Sequence, residues 1–324
     1  MVVLENSTYK QARQPLSGSA VLLIGFRRPD LMLQLARIVS AAKPRRIYVS
    51  IDGARADVTG EGAKVAEVIE VVRQFAWASP IYVKTAEVNM GAGAHVKNAI
   101  DWFFESEPQG IILEDDCHPD STFFDYANFM LDNPPADVMS IAGFYPAPMK
   151  VQTAASALLS RYPMTWGWAT WAREWTKYKF HLGDWRRELS PSALSEIGRG
   201  EPWFVKYWSE RFDALRDGNR NVWDYQWVFT VWANGGRGVF PCRNLVQNVG
   251  FGKESTHSFI RRRVYATPST QLLVDWSPGM ETDLQDGRDL DSFLHLRFYH
   301  VGNAYPLTSL ARQTARTAIN KFLR

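Results

Sequence analysis

Apolar and polar positions follow two rhythms along the first part of the chain. Ala20–Gly25 (AVLLIG) is a short unbroken apolar run, the pattern of a strand covered on both faces. Pro29 suits a first helical position, and Asp30–Ala42 sets Leu31, Leu33, Leu35, Ile38 and Val39 at helical spacing. Arg46–Asp52 reads as a second strand ending at Gly53, Gly62–Phe75 as a helix and Ile81–Thr85 as a strand. Ala94–Glu105 predicts a helix with Val96, Ile100, Phe103 and Phe104 turned inward. Gly110–Leu113 is a further apolar strand that runs into Glu114-Asp115-Asp116, Thr122–Leu131 is helical, and Asp137–Ala142 is another strand. Strands alternating with helices imply right-handed βαβ units and a mostly parallel sheet, whose ligands bind at the carboxyl ends of the strands. Asp52 and the acidic trio both lie at such ends.

Beyond Gly143 this rhythm is lost, and composition takes over as the signal. Ten of the 13 tryptophans fall between Trp166 and Trp232. They either fill the core of a second, irregular lobe or line a sugar site, because indole faces pack on the C–H faces of pyranose rings. With no Gly/Ser linker between the halves, the expectation is one fused unit: 19–145 as a βα half, 146–306 as a tryptophan-rich half, and 307–324 as a basic amphipathic helix. The apolar content of 46% excludes a disordered chain. A net charge of +3 is too slight to imply nucleic acid. Four of the bases (Arg312, Arg316, Lys321 and Arg324) and no acid sit in 307–324, so the excess belongs to the tail. A docked terminal helix and an anchor to anionic lipid are both consistent with that segment. Two cysteines, no apolar leader and no run long enough to span a bilayer lead to the expectation of a cytoplasmic protein, peripheral at the inner face of the membrane if the tail anchors it.

The segment Ile111–Asp120 (IILEDDCHPD) carries the chemistry. Three carboxylates delivered to one sheet edge are expensive unless something cationic meets them. A divalent metal bearing a diphosphate would do so, through shared hard oxygen ligands. On an extended backbone Glu114 and Asp116 would point one way and Asp115 the other. Cys117 and His118 lack a second ligand pair and do not make a zinc site. The alternative is a solvated acidic turn capping the next helix.

This arrangement resembles the GT-A-fold glycosyltransferases, with their D-x-D-like motif at this place in a Rossmann-like sheet. More narrowly it resembles bacterial relatives of the eukaryotic alpha-1,3-mannosyl-glycoprotein beta-1,2-N-acetylglucosaminyltransferase, which has an E-D-D motif. GFRRPDLMLQL, IYVSIDG, FFDYANFML, WGWATW, VWDYQW and NVGFGKESTH carry the likeness from about Ser19 to Phe259. It implies that Arg27 (or Arg28), Asp52 and His95 surround base and ribose, and that Glu114 and Asp115 bind ribose or donor-sugar hydroxyls. Asp116 would be the direct metal ligand, joined by a late His257, with Lys253 and Thr256 on phosphate oxygens. Asp224, set between Trp223 and Tyr225, would be the catalytic base, although a helix N-cap is also compatible with that position.

The reading that results is a metal-dependent inverting glycosyltransferase using Mn²⁺ or Mg²⁺ and a nucleotide diphosphate sugar, UDP-linked by the resemblance. Its acceptor would be a glycan, a lipid-linked sugar or a protein. A binding protein that kept the scaffold and lost turnover, and a sugar nucleotidyltransferase, are the rivals. The second lacks a Gly-rich basic loop after the first strand.

Overall fold

The computed structural model describes residues 18–146, 157–218, 221–250 and 284–299. The first half follows the apolar rhythm closely: β1 (Ala20–Gly25), α1 (Pro29–Ala42), β2 (Ile47–Ile51), α2 (Glu61–Gln74), β3 (Ile81–Thr85), α3 (Ala92–Phe104), β4 (Gln109–Glu114), β5 (Cys117–Pro119), α4 (Ser121–Asp132) and β6 (Val138–Ala142). Boundaries move by a residue or two from the sequence expectation. α4 begins where the Asp120 side chain accepts a hydrogen bond from the Thr122 N–H, a cap that ends the acidic segment.

The second half does not form a separate lobe. It continues the same sheet with β7 (Ala157–Ser160), β8 (Trp168–Trp171), β9 (Arg237–Pro241) and β11 (Leu284–Asp286), in the order β11-β7-β9-β6-β8-β4-β1-β2-β3. β10 (Val246–Asn248) pairs instead with β5 in a small antiparallel ribbon. Five pairings in the large sheet are parallel and three antiparallel. The result is a mixed α/β fold with a mostly parallel central sheet flanked by helices, compatible with a Rossmann-like arrangement. β8 runs antiparallel between β4 and β6, so the tryptophan-rich segment is stitched into the centre of the sheet.

Alternation along β1 divides the core. Val21 and Leu23 face α1, α2 and α4, meeting Met32, Leu35, Val68 and Met130. Ala20, Leu22 and Ile24 face α3 and the later helices α5 (Ala172–Trp175), α6 (Pro191–Ile197), α7 (Pro202–Ala214) and α8 (Asp224–Ala233). Eight of the ten clustered tryptophans are buried. Trp168, Trp185, Trp208 and Trp227 are among the largest fully enclosed side chains, so packing accounts for most of the surplus. Trp166 is partly buried and Trp203 is exposed. After β11, α9 (Arg288–Phe293) and a π-helical turn at 294–298 pack back on this face. Among the described residues no helix is long and apolar enough to cross a membrane. The predicted helix at 307–324 lies outside the described residues.

Candidate active site

β4 pairs with β1 as far as Glu114 opposite Ile24, and the Asp115 N–H closes the pairing on the Ile24 carbonyl at 2.9 Å. The extended backbone stops there. Asp115 and Asp116 form a turn, so their carboxylates do not alternate as a strand would place them. Both instead meet the guanidinium of Arg28, which donates to Asp115 Oδ1 and to Asp116 Oδ2, the latter at 2.9 Å. Asp115 is 2% exposed, and its second oxygen is buried with no partner. Val249 N–H donates to the Asp116 carbonyl at 2.8 Å, and a Cβ on Gly250 would lie 2.2 Å from Asp116 Oδ2. The chain following β10 therefore passes directly against Asp116. Lys253, Thr256 and His257, expected at phosphate and metal, lie outside the described residues.

Crowded negative charge dominates the electrostatics. Burial, then the charges of Asp116 and Asp115, push the Glu114 carboxyl up to about 8, against the opposing pull of Arg28. Burial likewise lifts Asp115 to about 6, although Arg28 works against it. Arg28 is held above its ordinary range because the two carboxylates outweigh the burial of its charge.

The ends of β2 and β3 form a second group. Asp52 is buried, and its Oδ1 accepts the N–H groups of Gly53 and Met90, each at 2.9 Å. Its Oδ2 accepts from Asn89 at 3.0 Å. Asp52 thus ties the 88–90 loop to the strand end, and part of its acceptor capacity is committed inside the protein. His95, on the first turn of α3, is 4% exposed and shares a hydrogen bond of 2.9 Å with the Ser50 hydroxyl. Burial depresses it to about 4, with the Asp52 charge opposing, so its ring is neutral at physiological pH. Arg27 points away from the acidic turn. It pairs at 2.8 Å with Glu61, which Arg55 also grips, and the Arg55 hydrogen bond holds that carboxyl at about 2. Of the two arginines considered from sequence, Arg28 is the one at the turn. A cleft of about 430 Å³ opens beside Asp52, lined by the 54–57 loop, Val88, Asn89, Gly91 and Asn221.

Asn221 brings in the other half of the chain, since it lies just before α8. Asp224 is the first residue of that helix, and the N-cap position belongs to Trp223, which makes no side-chain cap. The N-cap reading of Asp224 therefore gives way to a half-buried carboxylate in the first helical turn, at the positive end of the helix dipole. An aromatic platform holds that turn. Trp223 stacks on Trp168 at 5.8 Å, Trp175 stacks on Tyr178 at 4.2 Å, and the Tyr178 hydroxyl donates to the Trp223 carbonyl at 3.1 Å. Asp224 is close enough to Glu114 that its charge adds to the lift on that carboxyl. Residues more than a hundred positions apart in sequence are thus neighbours in one electrostatic site.

No protein-family model and no curated protein matches the chain. The fold and the site's own chemistry therefore carry the functional reading. Among the described residues no group of three or more His, Cys, Asp and Glu is arranged as a metal-holding cluster. The donors described at the acidic turn still suit a hard divalent cation: they are carboxylate oxygens, and the buried Asp115 Oδ2 has no partner. Sequence reasoning missed Glu61, Asn89 and Tyr178, whose hydrogen bonds link distant segments and leave no local pattern.

The raised carboxyls have a measurable consequence. Without divalent cations, folding stability is expected to fall between about pH 6.5 and 8. Folded Glu114 keeps its proton to about 8, whereas the unfolded chain loses it near 4.5, so rising pH favours unfolding across that interval. Asp115 acts in the same direction at lower pH. His95 and His118, depressed chiefly by burial, act oppositely, but only below the ordinary histidine value of 6.5. Urea unfolding at stepped pH would show the decline, and Glu114→Gln would flatten it. A wild-type midpoint that rises across this interval would refute the assignment.

Proposed function

We propose that the chain is a metal-dependent inverting glycosyltransferase of GT-A type, moving a sugar from a nucleotide diphosphate sugar to an acceptor hydroxyl. The observation that carries this reading is that the charge of Asp224 reaches the acidic turn. One carboxylate lies in the first turn of a helix, near enough to a carboxylate cluster at a strand end to add to the lift on Glu114, and a cleft opens beside the end of β2. The cleft beside Asp52 and His95 would take the nucleoside, which the motif resemblance makes uridine. Glu114 and Asp115 would meet ribose or donor-sugar hydroxyls. Asp116 would hold Mn²⁺ or Mg²⁺, with His257, and Lys253 and Thr256 would lie on phosphate oxygens. When bound, the ion supplies charge neutralisation for the departing diphosphate.

Asp224 would take the proton from the acceptor hydroxyl as that oxygen attacks the anomeric carbon from the face opposite the diphosphate. The bond between the anomeric carbon and the diphosphate oxygen breaks as the new glycosidic bond forms, which inverts the anomeric configuration. The aromatic platform under α8 keeps the base in place, and the neutral His95 adds no charge beside the nucleoside. The acceptor would be a glycan, a lipid-linked sugar or a protein, and the basic segment 307–324 would hold the enzyme at an anionic membrane surface, on its cytoplasmic side.

Thermal unfolding against a panel of nucleotides and nucleotide sugars, with and without Mn²⁺, tests the reading directly. A ligand at a hundred times its dissociation constant adds about 2.7 kcal/mol of stability, which for a chain of this size shifts the melting temperature by several degrees. The largest shift is expected from a UDP-sugar with Mn²⁺. No shift with any nucleotide in the presence of metal would remove the transferase proposal.

A further inference from the structure

Arg28 stands where an external cation would have to bind. Its guanidinium forks across two adjacent carboxylates, a geometry that lysine cannot reproduce and that gives strong charge-assisted hydrogen bonds. Asp115 is almost wholly enclosed, so its charge depends on a partner inside the protein. Arg28 and Asp116 are less enclosed, with side chains 27% and 18% exposed. Asp116 Oδ2 is bounded by Arg28 on one side and by the Gly250 backbone on another. An ion approaching that oxygen therefore meets a guanidinium already in place. Asp115 Oδ2, buried and unpartnered, shows that the arginine does not exhaust the acceptor capacity of the pair. Arg28 lies immediately before α1 and makes no side-chain cap there, so it can leave the turn without unravelling the helix.

We infer that Arg28 is a built-in counter-ion of the acidic turn, which bridges Asp115 and Asp116 and competes with a divalent cation for Asp116. It keeps the buried carboxylate paired while the site is empty of metal, and it must swing out before the ion can take Asp116. Metal affinity in the resting protein is held down by the strength of this internal pair. The inference rests on the transferase reading for its choice of cation, but it concerns the competition alone.

The test measures Mn²⁺ binding to the whole purified chain, with no nucleotide present, from the electron paramagnetic resonance signal of the free ion. Arg28→Met removes the competitor and is expected to tighten Mn²⁺ binding about tenfold or more, the effect of losing one strong charge pair. That variant leaves Asp115 buried and unpaired and risks unfolding, so Arg28→Met/Asp115→Asn is measured beside it. The double variant removes both partners, leaves Asp116 open, and is also expected to bind Mn²⁺ more tightly than wild type. Circular dichroism confirms which variants are folded. Equal affinity in wild type and the folded variants, weaker binding in the variants, or no Mn²⁺ binding in any of them would each overturn the inference. A parallel titration with UDP present separates it from the transferase reading: tighter Mn²⁺ binding by the variants with no UDP binding in any sample would sink the transferase proposal and leave the counter-ion standing.

Discussion

Asp224→Asn is expected to reduce sugar transfer by about 10²- to 10⁴-fold while leaving nucleotide and metal binding unchanged. The substitution preserves the size and shape of the side chain and removes only its ability to accept a proton. Its surroundings are fixed by neighbours that do not depend on that charge. The first turn of α8 is held by Trp223 on Trp168, by Trp175 on Tyr178, and by the Tyr178 hydroxyl on the Trp223 carbonyl. The helix should therefore keep its place and the cleft beside Asp52 its shape. Because Asp224 adds to the charge crowding at Glu114, the variant should also lower the Glu114 pKa from its value of about 8. Steady-state turnover with a saturating donor, set beside calorimetric binding of that donor, separates the two effects. Full turnover in the variant would exclude Asp224 as the base. Lost turnover together with lost donor binding would instead assign it a binding role, whereas no turnover even in the wild type would favour a binding protein that kept the scaffold.

β1, β2, β3, β4 and β6 could be read from the chain because each is a short, mainly apolar run bounded by turn residues. The helices between them show a one-sided apolar stripe. β8 could not be read in this way. Trp168–Trp171 is buried at all four positions, which no alternation signals, and it pairs antiparallel between strands that lie far from it in sequence. The tryptophans were visible as a cluster, but whether they form core or ligand surface depends on which face of the sheet receives them. The site was legible to the same partial degree. The acidic turn and Asp224 stand out because carboxylates at a strand end or among indoles cost free energy unless they have a role. Arg27 and Arg28 are adjacent and chemically equal, and only the turn after β1 decides that one meets Glu61 and the other the aspartates. The alternation expected for Glu114, Asp115 and Asp116 failed for a related reason: the strand ends at Glu114, two residues short of the extended backbone that alternation needs.

The segment 284–299 attracts no notice in sequence, yet Asp291→Ala is expected to destabilise the protein by about 1–3 kcal/mol, the cost of leaving buried donors without their acceptor. Asp291 is 1% exposed. Its Oδ1 accepts the Ser160 hydroxyl at 2.6 Å and the Arg161 N–H at 3.2 Å, and its Oδ2 accepts Arg199 at 2.9 Å. Burial pushes the carboxyl up and these donors pull it back, so the cluster balances a desolvation cost against several hydrogen bonds. Alanine leaves the desolvation of Arg161 and Ser160 uncompensated. Asn, which still accepts hydrogen bonds, should cost less, and equal losses in both variants would mean that charge contributes nothing. The same cluster bears on the site, because it fastens the segment that carries Tyr299. Tyr299 stacks on Tyr162 at 5.0 Å, its carbonyl accepts the Tyr207 hydroxyl at 2.8 Å, and its own hydroxyl lies within reach of the Asp224 charge. Loosening the anchor should therefore disturb the surroundings of Asp224 from a distance. Chemical denaturation gives the stability loss, and turnover measured well below the unfolding transition reports the disturbance. A stability change under about 1 kcal/mol for Asp291→Ala would show that the cluster is solvated and that 284–299 is held by its apolar contacts alone.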